Sequence, residues 1–215
     1  MKADSPVPLP VEVMTSRQLA RRARLIETVI KLVTESGSSA VQMRDVTERS
    51  GVALGTVYRY FRSKDHLVAV AVLEWQGTVT RRILASKNGE ADALVVVKDF
   101  LRRALQAFDR APGMAVIMMQ MLASSDPDAR EFVEQGEIVL TAALDDLLVE
   151  VARDDVFQVR LALTCVLWDA IKRMAGGRIA FSDALAQVEG VADILLRGRV
   201  QRSGSSRKGR SRASA

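Results

Sequence analysis

The chain has 215 residues, 48% of them hydrophobic and 27% charged, which is enough apolar material for one generous domain or two small ones. Its wholly apolar runs are far shorter than the roughly 20 residues that span a bilayer, so a membrane protein is excluded. One cysteine, Cys165, and one histidine, His66, leave no material for an internal disulfide framework or a Cys- or His-rich metal centre, and neither metal nor cofactor is expected.

The net charge of +5 suggests an anionic partner, but its layout says more than its sum. Residues 1–86 hold 13 Lys and Arg against 8 Asp and Glu. Residues 87–197 hold 12 against 18, and residues 198–215 hold 6 against none. A basic front, an acidic body and a basic tail are three different objects.

In chain order, residues 1–15 include three prolines and no apolar run. They read as a flexible arm and not as a secretory signal, so a cytoplasmic location is expected. From Ser16 the pattern is helical, with Leu19, Ala23, Ile26, Val29, Ile30 and Val33 recurring every three to four residues. Gly37 is a plausible stop. A short helix at 43–50 ends at Gly51, a second runs over 53–60, and Ser63 caps a longer one reaching residue 85, with Asp65 in its first turn. Further helices are expected at 92–110, 113–124, 128–151, 155–176 and 182–196. They are separated by turn chemistry at 88–89, 111–113, 125–127 and 176–177. No segment makes a convincing strand, so the fold is all-α. Residues 198–215, rich in Arg, Ser and Gly, read as a disordered basic tail.

The informative stretch is 41–67. Two short helices joined by a glycine-containing turn make a helix-turn-helix. Val46 and Val57 are placed to face each other across the turn, Val52 to plug its corner, and Gly51 to supply the tight backbone. The second helix then presents Leu54, Gly55, Thr56, Tyr58, Arg59 and Tyr60 outward, at a width that fits the DNA major groove. Tyr58, Tyr60 and Lys64 can reach phosphates, Arg59 or Arg44 can pair with guanine, and Gly55 removes a side chain where backbone approaches DNA.

These residues resemble the TetR family of bacterial transcriptional regulators. The run Val46-Thr-Glu-Arg-Ser-Gly-Val-Ala-Leu-Gly-Thr-Val-Tyr-Arg-Tyr-Phe-Arg-Ser-Lys-Asp-His-Leu67 departs from that family's commonest pattern only at Val46, Thr47, Ser50 and Val57, each by a residue of similar size. The resemblance implies a three-helix DNA-binding domain at 16–62, followed by a larger helical bundle for ligand binding and dimerisation at 63–197. It implies that Arg44 contacts bases, that Gly55 and Thr56 lie against the DNA backbone, and that Tyr58, Tyr60 and Lys64 hold phosphates. Leu54 and Arg59 would vary the readout. More narrowly, the stretches at 40–44 and 51–61 look like the actinobacterial repressors of steroid catabolism, which implies a CoA thioester of a steroid acid as effector. The partners expected are thus a palindromic DNA operator, a second copy of the chain, and an apolar or CoA-thioester effector, with no membrane.

Outside the motif, Met114, Met118, Met119 and Met121 are either flexible core filler or a deformable wall for an apolar ligand. Phe100, Met114, Met118, Met121, Leu122 and Trp168 are the candidate pocket residues, Trp168 being equally suited to a dimer interface. His66 reads as a helix-surface or interdomain residue and Cys165 as a small buried one. The acidic series from Asp126 to Glu137 reads as a solvated face, since it lacks a glycine-centred calcium loop. An acyl-CoA-binding module or small enzyme that carries a helix-turn-helix is the alternative, though no catalytic set is evident. A DNA-binding protein without a ligand is a third reading. Deleting 198–215 is expected to lower salt-sensitive, nonspecific DNA affinity while sequence preference persists, measured by competition binding at several salt concentrations. Lost preference would misplace the reader.

Overall fold

The computed structural model describes residues 8–37, 41–86, 92–124 and 127–197. The tail at 198–215, the first half of the N-terminal arm and the turn expected at 88–89 lie outside the described residues. Among the described residues the regular structure is helical. A 3-10 turn at Val11–Val13 precedes α1 (Ser16–Ser36), α2 (Met43–Ser50), α3 (Leu54–Tyr60), α4 (Lys64–Ala85), α5 (Ala93–Arg110), α6 (Pro112–Leu122), α7 (Pro127–Leu147), α8 (Arg153–Ala175) and α9 (Phe181–Leu196). Every expected helix is present. The largest difference is α7, which stops at Leu147. There the Leu148 N–H is shared between the carbonyls of Leu144 and Asp145, a tightened last turn, and Val151 N–H folds back onto Leu148.

The front of the molecule is a three-helix unit. Thr15 opens α1 with a reciprocal cap: its Oγ1 accepts from Gln18 N–H at 3.4 Å, and Gln18 Oε1 accepts from Thr15 N–H at 2.7 Å. The buried face of α1 is Leu25, Ile26, Val29, Leu32 and Val33. Leu19 and Ala23, placed on that stripe by periodicity, are exposed, and the buried face begins at Leu25. Val46, Val52 and Val57 are all buried. Gly51 joins α2 to α3 at φ +65°, a left-handed conformation that a Cβ resists.

The N-terminal segment was expected to be free, yet its described part is docked. Leu9 N–H donates to Arg59 O at 2.9 Å and Met14 is buried. A helix leaves its last carbonyls unsatisfied, and this bond answers one of them on α3.

Helix α4 belongs to both halves of the molecule, with α1 against it at one end and α5, α6 and α7 along the rest. Behind it, α9 packs on α5 and α8. Partly buried ion pairs tie α5 to α9: Lys98 Nζ to Asp193 Oδ2 at 3.1 Å, and Arg102 to Glu189 at 2.6 Å. Lys98 beside it holds the Asp193 carboxyl below the ordinary carboxylate range. Arg160 reaches both oxygens of Asp145 at 2.8 Å and joins α7 to α8. Cys165, expected to be buried, is exposed on α8, because its helix turns Leu163 and Leu167 inward instead.

Gly51→Ala is expected to cost about 1–2 kcal/mol, the penalty for a Cβ in the left-handed region, read as a lower denaturation midpoint with an unchanged slope. An unchanged midpoint would show that the α2–α3 turn can relax.

Candidate nucleic-acid interface

Helix α3 has seven residues and two faces. Val57 and Tyr60 turn inward, at 1% and 4% exposure, and Phe61 just after the helix is completely buried. Leu54, Gly55 and Arg59 are exposed, while Thr56 and Tyr58 are half-buried at the edge. Tyr60 therefore does not share the outward face assigned to it. It stands three residues after Val57, hence on the same side of the helix, and supports α3 from behind. Arg44 is exposed near the start of α2, its carbonyl accepting from Thr47 Oγ1 at 2.8 Å.

The glycine at 55 has no internal explanation. A Cβ built there meets nothing within 4 Å, so the fold would accept a side chain. The bare surface thus suits close approach from outside, beside an exposed leucine and two arginines. Leu54 can meet a thymine methyl, and a guanidinium can pair bidentately with guanine.

Behind α3 the chain turns sharply into α4. Ser63 Oγ accepts from His66 N–H at 3.0 Å, capping α4, and His66 Nδ1 accepts from Arg62 N–H at 3.0 Å. The imidazole also sits between two rings, 5.8 Å from Phe61 and 5.4 Å from Phe132 of α7. His66 is thus an interdomain residue. Arg22 of α1 lies over the other partner, Phe61, at 5.2 Å; burial lowers its guanidinium from the ordinary value, with Glu74 opposing. Lys64, half-buried, starts α4 at this corner and also borders a junction cavity of about 320 Å³ between α4, α6 and α7.

Two small apolar voids of about 30 Å³ each lie deeper in the body. Met118, Met121, Leu122 and Trp168 line the first, and Phe100 and Trp168 line the second. Met114 lines neither and is fully buried core. Pattern reading missed Gln76 and Thr80, which line the second void as buried polar groups on α4. Gln76 Nε2 donates to Gly136 O at 3.2 Å, tying α4 to α7. Their i, i+4 spacing on an otherwise apolar helix face was the available signal. Phe108 stands edge-on between Trp75 and Trp168, with centroids 5.0 and 5.9 Å away.

Residues 25–71 match the family model for bacterial regulatory proteins of the tetR family. Over 125 residues the chain is 31% identical to the HTH-type transcriptional repressor KstR of Rhodococcus jostii, covering 58% of each chain. The match thus spans little more than half of that relative's length. A TetR transcriptional regulator from Rhodococcus sp. RHA1 superposes with a TM-score of 0.64 at 28% identity, over 83% of this chain and 97% of that one. The regulator FadR from Bacillus subtilis, solved in complex with stearoyl-CoA, gives a TM-score of 0.65 at 18% identity, over 82% of this chain and 98% of that one, a likeness of fold alone. Among the described residues no helix is long and apolar enough to cross a membrane. The chain thus has a TetR-like N-terminal helix-turn-helix domain, matched over residues 25–71, followed by a helical domain with the fold of TetR regulators.

Proposed function

We propose that the chain is a ligand-responsive transcriptional repressor of the cytoplasm. It reads a palindromic DNA operator as a homodimer and releases it when an apolar or CoA-thioester effector, of the steroid-derived kind, occupies the body. The observation that carries the DNA-binding part is the empty space at Gly55 on an exposed face otherwise made of Leu54, Thr56, Tyr58 and Arg59. Arg44 and Arg59 read bases, while Tyr58 and Lys64 hold phosphates and set the register. Residues 16–62 form the reader, and residues 63–197 bind effector and partner.

The outer sides of α8 and α9 supply the surface for the second copy. Phe157 and Leu161 are 58% and 51% exposed on α8, and Ile194 is 80% exposed on α9. Gly190, one turn before Ile194, has nothing within 4 Å of a built Cβ, which lets another helix come close. A two-fold pair would set two α3 helices against half-sites about 34–36 Å apart, or somewhat more.

Support for the effector part is the pair of voids flanking Gln76 and Trp168, together with the acyl-CoA held by the fold neighbour FadR. Each void is about 30 Å³, close to one water's share of the liquid, so a ligand must part α4 from α7 to enter. That would break the Gln76–Gly136 bond and shift α4, whose first turn carries the elbow to α3. A coupling of about 1–3 kcal/mol is typical of such systems.

Selection of genomic fragments with the full chain is expected to enrich one palindromic sequence. On that sequence Arg44→Ala should lose about 1–3 kcal/mol and relax preference at one base position, and Tyr58→Ala should weaken binding evenly across sequences. If both bind like the parent at physiological salt, the reader is elsewhere. Gly55→Ala separates binding from folding. Its stability should hold or rise by up to about 1 kcal/mol, as alanine replaces glycine in a helix, while operator affinity falls at least tenfold. Unchanged affinity would remove the argument from empty space.

A further inference from the structure

The body as a whole is acidic, yet four arginines gather on one side of it. Arg82 at the end of α4 and Arg102, Arg103 and Arg110 along α5 border an open groove of about 490 Å³, with Asp99 as the single carboxylate in its lining. Two of the four are held in place. Arg102 is paired with Glu189 at 2.6 Å, and Arg103 is anchored by Asp99 at 2.8 Å and Ser86 Oγ at 2.7 Å. Among the described residues, Arg82 and Arg110 have no hydrogen-bond or ion-pair partner. Like charges do not collect around a groove without cost, and a groove with fixed and free guanidinium groups is suited to several anionic oxygens at once.

The groove is not isolated. Val79 and Ile83 line it on one side and line the deeper apolar void on the other. That void shares Gln76 and Trp168 with its neighbour, which in turn shares Met121 and Phe132 with the junction cavity. The spaces therefore follow α4 in single file, from the corner beside α3 to the arginines. Arg82 lies 18 residues after Lys64, about 27 Å along a helix, so the groove faces away from DNA held by α3.

We propose that this groove binds the phosphate-bearing head of the effector, with the acyl part reaching past the wall of Val79 and Ile83 into the voids beside Gln76 once α4 has parted from α7. This rests on the effector reading above and narrows it. The ligand is an amphiphile with a nucleotide-type polyphosphate head, a CoA thioester and not a free carboxylic acid, and Arg82 and Arg110 are the residues that recognise it.

The test is calorimetric titration of the full chain and of the double variant Arg82→Ala/Arg110→Ala with stearoyl-CoA, stearate and coenzyme A. Arg178→Ala, an exposed arginine outside the groove, controls for general loss of charge. The parent should bind stearoyl-CoA at least tenfold tighter than stearate, with an affinity that falls as salt rises. Coenzyme A should bind the same site more weakly. The double variant should keep its melting temperature and DNA affinity, lose at least tenfold for both CoA compounds, and bind stearate as the parent does; Arg178→Ala should match the parent. Equal binding of stearoyl-CoA by parent and double variant overturns the groove assignment and leaves an acyl-CoA effector standing. Preference for stearate over stearoyl-CoA overturns the phosphate head while an apolar effector stands. Loss of CoA binding in the double variant supports the groove even where the parent enriches no DNA sequence, an outcome that would remove the repressor reading alone.

Discussion

The elbow between α3 and α4 is the constraint on which the rest depends. Phe61 is completely buried there, under Arg22 of α1 and edge-on to His66 of α4. The Arg62 N–H is held by His66 Nδ1, and Ser63 caps the helix that follows. Removing a buried phenylalanine of this kind typically costs about 3–5 kcal/mol, so α3 cannot change its angle to α4 without disturbing a well-packed joint. The outward face of α3 is therefore aimed by the same contacts that begin the body.

The body is not equally firm throughout. Helices α5 and α9 are joined by Lys98–Asp193 and Arg102–Glu189, partly buried pairs that solvent screens less than open surface pairs. Between α4 and α7, by contrast, the buried polar tie is Gln76 to Gly136, with a void on either side. The proposed effector would enter along that seam, where one hydrogen bond and two voids offer the least packing to displace. Since α4 also carries the elbow, a ligand that opened the seam as proposed would re-aim α3.

The order of helices was legible from periodicity and turn residues because each helix has a buried face and a chemical stop. The helix-turn-helix was legible in finer detail, since Val46, Gly51, Val52 and Val57 each fill a place that few other residues fit. Tyr60 was misread because an aromatic with a hydroxyl suits either face, and only its spacing from Val57 decides between them. Cys165 was misread for the opposite reason: small apolar residues are common inside, but α8 turns Leu163 and Leu167 inward and leaves Cys165 on its outer side. The docking of Leu9 onto Arg59 leaves no pattern at all, being a backbone bond between distant residues. Five of the six candidate pocket residues do border cavities, while Gln76 and the arginine groove depend on which helix faces meet, which pattern alone does not encode.

The most direct measurement is hydrogen exchange of the full chain, alone and bound to its selected DNA duplex. The account predicts added protection in α2, α3 and the first turn of α4, with α5 and the α8–α9 face unchanged apart from effects of dimer formation. Adding an effector should reverse that protection and slow exchange along α4 and α7. Protection by DNA that falls on the body or the basic tail, and leaves residues 42–64 unchanged, would contradict it.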